Sequence, residues 1–363
     1  MIELLDDLRQ NLSSAHIFAL STVVKTWNSA PRPSGSSMMV SQSGEVTGSI
    51  SGGCVEGALY EVAQAVLASG EPVYSIYGVS DDDASAVGLT CGGTIEVFTE
   101  LVRGDSDWLK ELLRDRPEDE GFAIATVVKG SAHVGSHLVI SAKGSSGSTG
   151  SARLDQTIFD DALGFLAAGT TGLLSYGVDG ERLESDLEVL VISAAPKARM
   201  IIFGAIDFAA ALAKIGKFLG YQITVCDARA IFATKKRFPD ADEVIVDWPH
   251  RYLATQRTDS RTVIAVLTHD PKFDVPVLKL ALDSNVGFVG AMGSRRTHRD
   301  RLARLREEGV SEESLLRLHS PIGLDLGART PEETALSIAA EIVKYRWGGS
   351  GLPLRESEGP IHP

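Results

Sequence analysis

Residues 199–229 read RMIIFGAIDFAAALAKIGKFLGYQITVCDAR, and this stretch decides the fold of the second half of the chain. RMIIFGA (199–205) is a strand ending in glycine, FAAALAKIGKFLG (208–220) spaces its apolar residues as an amphipathic helix, and QITVCDAR (222–229) is a second strand. The alternation continues downstream. EVIVDW (243–248) and TVIAVLTHD (262–270) read as strands, VPVLKLALD (275–283) as a helix and VGFVGAMGS (286–294) as a strand. THRDRLARLREEG (297–309) and TPEETALSIAAEIVKYRW (330–347) read as helices. Alternating β and α elements imply a doubly wound parallel sheet, so an α/β, Rossmann-like domain is expected.

Upstream, SAAPKAR (193–199) reads as a linker, and the pattern before it is different. FALSTVVK (18–25) parallels FAIATVVK (122–129), and MMVSQSG (38–44) parallels HLVISAKG (137–144). VLASGEPVYSIYG (66–78) parallels FLAAGTTGLLSYG (165–177), and IEVFTELV (95–102) parallels LEVLVISA (187–194). Four blocks in one order indicate an internal duplication within an α+β domain. Each copy reads as strand, turn, strand, helix, strand, strand, the helix of the first covering 55–68 with Gly70 as its stop. GSSGSTGSA (144–152) reads as a flexible loop by composition. The expected domains are therefore 1–195 and 196–348, with a tail at 349–363.

Bulk properties narrow the function. A net charge of -13 over 363 residues argues against non-specific nucleic-acid binding, which needs a basic footprint. No run of apolar residues is long enough for a membrane span. The acidic start MIELLDDLRQ has no signal-peptide pattern, so a cytoplasmic location is expected. The three cysteines, Cys54, Cys91 and Cys226, are too few for a disulfide framework or for a four-thiolate iron–sulfur cluster.

Two of these thiols are embedded in glycines: Ser51-Gly52-Gly53-Cys54 and Cys91-Gly92-Gly93. Glycines let backbone N–H groups approach an anion, and a helix beginning at Cys54 would add its positive end. That setting suits a metal ligand or sulfur nucleophile, and an anionic, sulfur-rich pterin cofactor would fit it. The alternative for each is a small buried hydrophobe, which is the reading for Cys226 in the middle of a strand. Glu56 is a candidate proton carrier beside Cys54, or else an ordinary helix position. The second copy has Thr149-Gly150-Ser151 with no cysteine, so chemistry is expected in the first copy only. His16, His133 and His137 show no metal-ligand spacing.

The strings SAPRPSGSSMMV (29–40), GSISGGCVEGALYEVAQAVLASGEP (48–72) and GLTCGGTIEVF (88–98) resemble the N-terminal domain of the XdhC/CoxI family. FPDADEVIVDWP (238–249), VLTHDPKFDVPVLKLAL (266–282), VGFVGAMGSRRTH (286–298) and HSPIGLDLGARTPEETALSIAAEIV (319–343) resemble its C-terminal Rossmann domain. The resemblance implies an accessory protein that binds molybdenum cofactor, assists its sulfuration and delivers it to a xanthine dehydrogenase-type or CO dehydrogenase-type enzyme. Cys54 and Cys91 would then contact molybdenum or its incoming sulfur. The implied partners are an apo molybdenum hydroxylase and a cysteine desulfurase, with a homodimer as the candidate assembly. A xanthine dehydrogenase activity of its own is not expected, because the chain is small and lacks iron–sulfur ligands.

The sequence departs from that family after the strand RMIIF, where Gly-Ala-Gly-His is typical and Gly204-Ala205-Ile206-Asp207 stands here. The second glycine of such a signature admits the pyrophosphate of a dinucleotide. Ile206 and Asp207 therefore point to weak or absent NAD(P) binding, although Asp227 stands where a ribose-binding acid belongs, its alternative being a turn residue at the end of a strand. His269-Asp270, and Ser294 with Arg295 and Arg296, follow later strands and are expected to hold a phosphate-bearing ligand or to serve as helix caps and surface charges. The rival functions are an NAD(P)-dependent oxidoreductase and an assembly scaffold that never touches cofactor.

Overall fold

The computed structural model describes residues 1–11, 16–27, 32–78, 93–117 and 119–357. They form two compact units, Met1–Pro196 and Lys197–Ser357. The first opens with α1 (Leu5–Asn11) and continues through β1 (Ile17–Trp27), β2 (Ser37–Ser41), β3 (Val46–Gly48), α2 (Glu56–Ser69), β4 (Val73–Tyr77), β5 (Thr94–Arg103) and α3 (Asp107–Leu113). A second copy follows as β6 (Phe122–Gly130), β7 (His137–Ser141), β8 (Gly144–Gly147), α4 (Ala152–Ala168), β9 (Gly172–Tyr176) and β10 (Leu187–Ala194).

The duplication holds strand for strand. The two antiparallel sheets have the orders β3-β2-β1-β5-β4 and β8-β7-β6-β10-β9. Phe18 pairs with Ser41 as Phe122 pairs with Ser141, and Met38 with Gly48 as Leu138 with Gly147. Period-two alternation sorts the side chains to two faces. Ala19, Val23 and Val97 pack beneath Leu59, Ala63 and Val66 of α2, while Ala123, Ala125 and Val189 pack beneath Leu154, Ile158 and Ala162 of α4. The opposite faces share one core, in which Phe18, Leu20 and Phe98 meet Phe122, Ile124 and Leu190. Within this buried layer His137 Nε2 lies 2.8 Å from Glu100 Oε2 and its ring stacks on Trp108 at 3.9 Å.

One sequence reading needs correction here. Residues 144–147, flexible loop by composition, are strand β8, and the first copy has the matching β3. A Cβ on Gly147 would stand 2.2 Å from the His137 carbonyl oxygen, and one on Gly48 would stand 2.4 Å from that of Ser37. Both glycines also have positive φ, +94° and +85°. Glycine at these two positions reflects close backbone approach.

The second unit runs β11 (Arg199–Phe203), α5 (Asp207–Phe218), β12 (Gln222–Cys226), β13 (Glu243–Ile245), α6 (Pro249–Thr255), β14 (Val263–Val266), α7 (Pro271–Leu282), β15 (Phe288–Ala291), α8 (Arg295–Glu307), α9 (Glu312–Leu316), β16 (Leu318–His319) and α10 (Pro331–Trp347). Its parallel sheet has the order β13-β12-β11-β14-β15-β16. That is the Rossmann order, with the topological switch between β11 and β14. Helices α5 and α10 cover one face and α6 to α8 the other. The strand read at 243–248 stops at Ile245, because Pro249 starts α6. Helix α7 starts at Pro271, ahead of its periodic run, because Asp270 caps it and proline suits the first helical position. Among the described residues no helix is long and apolar enough to cross a membrane.

Candidate functional site

Strand β3 ends at Gly48 and runs into a loop, Ser49–Val55, that carries Cys54. Helix α2 begins at Glu56, not at Cys54, because the backbone leaves helical geometry at Gly52 and Gly53, with φ of +77° and +122°. No atom lies within 4 Å of a Cβ built on either glycine, so only their φ demands glycine. Cys54 itself is partly buried against the core under α2.

The loop closes around the Glu56 carboxylate. Its Oε1 accepts from Ser49 Oγ at 2.8 Å and from the backbone N–H groups of Ile50, Ser51 and Gly52 at 3.2, 2.9 and 3.0 Å. Oε2 accepts from Ser51 Oγ at 2.5 Å, Gly53 N at 2.9 Å and Val55 N at 3.2 Å. Ser51 Oγ in turn accepts from the N–H of Cys54 at 3.0 Å. Burial would raise the pKa of this carboxyl, but the hydrogen bonds from Ser51 and Ser49 hold it well below the usual carboxylate range. Both carboxylate oxygens are occupied by donors of the loop itself. The backbone donors expected to meet an external anion at Gly52 and Gly53 are spent on Glu56 instead.

Cys91 and Gly92 lie outside the described residues. Gly93 is buried, and Thr94 after it opens β5 opposite Trp27 of β1. Among the described residues no three His, Cys, Asp or Glu side chains are grouped to hold a metal ion.

In the second unit the expected residues sit at the carboxyl ends of parallel strands. Gly204 has φ +115°, and a Cβ there would stand 3.0 Å from the backbone nitrogen of Thr268, so the turns after β11 and β14 abut. Asp227 is buried, and its carboxylate accepts from Ala205 N at 2.8 Å and from Arg229 Nε and Nη2 at 2.9 and 2.8 Å. It is thereby committed to its own chain, and Arg229 lies over the Phe232 ring at 4.7 Å. Asp207 occupies the first turn of α5 and pairs with Arg237 at 3.1 Å. Asp270 and Ser294 cap α7 and α8, while His269, Arg295 and Arg296 are exposed. Cys226 is fully buried, and burial followed by the nearby Asp247 and Asp227 charges pushes its thiol up to about 12.

Sequence reading missed the group that ties these loops together. Arg301 is buried and donates to Asp274 Oδ2 at 3.0 Å, Met292 O at 2.8 Å and Ser320 Oγ at 2.9 Å, while Thr268 Oγ1 donates to the other oxygen of Asp274. One guanidinium thus binds the segments after β14, β15 and β16. The available signal was helical spacing, since Arg301 stands one turn before the buried Leu305.

Fold and loops together define a two-unit α/β protein in which a duplicated antiparallel domain carrying a cysteine loop precedes a Rossmann-type sheet. The description "XdhC and CoxI family" matches residues 12–78 and 116–177, and "XdhC Rossmann domain" matches residues 200–342. The chain belongs to the XdhC and CoxI family. It is 29% identical over 349 residues to a Bacillus subtilis protein named as a probable xanthine dehydrogenase subunit, covering 94% of this chain and 96% of that one. It is 26% identical over 328 residues to the molybdenum cofactor insertion chaperone PaoD of Escherichia coli, covering 90% and 83% respectively. A Bacillus halodurans protein whose crystal structure is described as a xanthine dehydrogenase superposes with a TM-score of 0.66 at 25% identity, covering 98% of this chain and 97% of that one.

Proposed function

We propose that this chain binds molybdenum cofactor, assists its sulfuration and inserts it into an apo molybdenum hydroxylase of the xanthine dehydrogenase or CO dehydrogenase type. The observation that carries the reading is the Cys54 loop, a thiol on a preformed glycine turn in a protein whose full-length relatives include a molybdenum cofactor insertion chaperone. In this reading Cys54, with Cys91, meets the molybdenum centre or the sulfur delivered to it by a cysteine desulfurase. The segments bearing His269, Asp270, Ser294, Arg295 and Arg296 hold a phosphate-bearing ligand, and the working form is a homodimer. An oxidoreductase reading finds support in the strand order of the second unit. Against it stand Ile206 in place of glycine, Asp207 at the start of α5 and an Asp227 already bonded to Arg229.

The test is anaerobic binding of purified molybdenum cofactor to the wild type and to Cys54→Ser. Tight binding that the variant loses supports the reading. Absence of binding by the wild type overturns it and leaves the scaffold role. Calorimetric titration with NAD+ and NADP+ is expected to show no binding, and a saturable isotherm would restore the oxidoreductase.

A further inference from the structure

We infer that Glu56 is a positioning residue for Cys54: its carboxylate is a built-in anion that fills the nest of the Ser49–Val55 loop and sets the thiol in place before any cargo arrives. Seven hydrogen bonds from one seven-residue loop converge on two oxygens. Five of the donors are backbone N–H groups, which cannot turn away without unfolding the loop. Hydrogen bonds to an ionised acceptor are roughly twice as strong as neutral ones. Ser51 relays the restraint, because the hydroxyl that donates to Glu56 also accepts from the Cys54 and Val55 N–H groups at 3.0 Å each.

The second copy gives an independent reason. Gly48 and Gly147 hold equivalent register positions, opposite Met38 and Leu138. Counting forward from them equally, Glu56 aligns with Asp155 and Cys54 with Arg153. Asp155 also binds back to its loop, accepting from Ser148 Oγ at 2.6 Å, Thr149 N at 2.8 Å and Thr149 Oγ1 at 2.6 Å. An acid that organises the turn is therefore common to both copies. By the same count Gly52 aligns with the N-cap Ser151 and Gly53 with Ala152, the first residue of α4, so α2 starts three residues later than α4 and more amides are available to the acid. The consequence for specificity is direct. A ligand arriving at this loop meets a thiol and an exposed glycine backbone, not a vacant anion hole.

The inference rests on the proposed function only for its purpose, and its test needs no cofactor. In the full-length protein, amide hydrogen exchange across Ile50–Val55 and the rate of iodoacetamide labelling at Cys54, both read by mass spectrometry on the peptide, report the loop. Glu56→Ala is expected to speed both by about tenfold or more, the change for losing one charge-assisted hydrogen bond. Added formate, which can re-enter the vacated nest, is expected to reverse both, whereas chloride at equal ionic strength is not. Glu56→Gln, which keeps the volume but turns a donor toward the loop amides, is expected to behave like Glu56→Ala without rescue, and it carries the test if Glu56→Ala fails to fold. Wild-type labelling should also show no titration of Glu56 in the ordinary carboxylate range. Unchanged exchange and labelling in both variants overturn the inference, as does an increase in Glu56→Ala that formate leaves untouched. Failure of cofactor binding alongside intact formate rescue would instead count against the cargo and not against Glu56.

Discussion

Replacing Arg301 by methionine tests whether one buried guanidinium holds the ligand end of the Rossmann-type sheet. The side chains of Arg301 and Asp274 are 3% and 5% exposed, so neither ion has water to fall back on. Breaking a buried pair by removing one partner costs about 3–5 kcal/mol, against about 0–1 for a surface pair. Methionine keeps most of the packing volume, so the loss should come from the stranded carboxylate and from the unpaired Met292 carbonyl. Burial already pushes Asp274 above its ordinary value, with Thr268 and Arg301 pulling against it. Removing Arg301 takes away one of the downward influences. A carboxyl whose folded pKa is raised contributes its stability in full below the unfolded value and loses it as pH rises through the folded value. The variant's deficit should therefore be largest at neutral pH and shrink on acidification. The assay is amide exchange on peptides of β11, β14 and β15, with β1 and β6 of the other unit as internal controls. About 3–5 kcal/mol corresponds to exchange roughly a hundred- to a few-thousandfold faster. A double variant, Asp274→Leu with Arg301→Met, should cost less than the single one. A single-variant change below about 1 kcal/mol, or one independent of pH, would refute the reasoning and class the pair with ordinary surface ion pairs.

Gly48→Ala should destabilise the first unit by at least about 1–3 kcal/mol, because its φ of +85° and the Ser37 oxygen 2.4 Å from the added carbon both oppose it; an unchanged midpoint in thermal unfolding followed by circular dichroism would contradict this. Glu341 is buried enough to raise its pKa, but hydrogen bonds from His319 and Gly323 N outweigh this and hold it below the usual value. Its stabilisation is present above the unfolded value of about 4.3 and is lost as pH falls through the folded one, so Glu341→Gln should remove part of the acid-side loss of stability in a denaturation series.

The sheets were legible because burial leaves a periodic mark. The strands of the second unit are apolar on both faces, and the alternation within FALSTVVK and FAIATVVK sorts one face to a helix and the other to the partner sheet. Reading failed where a residue's role depends on geometry that composition hides. GSSG (144–147) looks flexible, yet its last glycine is fixed by a carbonyl 2.2 Å from where its Cβ would be. Gly52, Gly53 and Cys54 suggest a nest open to anions. That Glu56, one residue after Val55, folds back to fill the nest follows only from the positive φ of both glycines. Arg301 lies in a strongly basic helix, THRDRLARLREEG, where one arginine among several gives no composition signal and only its position on the inner face marks it. The Asp227 position was legible, but its partner was not, since Arg229 binds it across a turn whose course the sequence does not state.

Divergence between the two copies separates what the turn shares as architecture from what the first copy adds. Both copies retain the glycine at the close β-strand approach, an acid that gathers the following turn, and a fully buried aliphatic residue just before that acid's position, Val55 in one and Leu154 in the other. Those shared features account for the turn as architecture. What the first copy adds is a pair of positive-φ glycines, a helix that starts three residues later and the thiol ahead of it, where the second copy is already helical and places Arg153 against Glu181 at 3.4 Å. Both glycines lie ahead of α2 with positive φ, a conformation that other residues rarely adopt. Among the described residues Cys54 stands where the first copy's turn departs from that of the second, at the position Arg153 holds there.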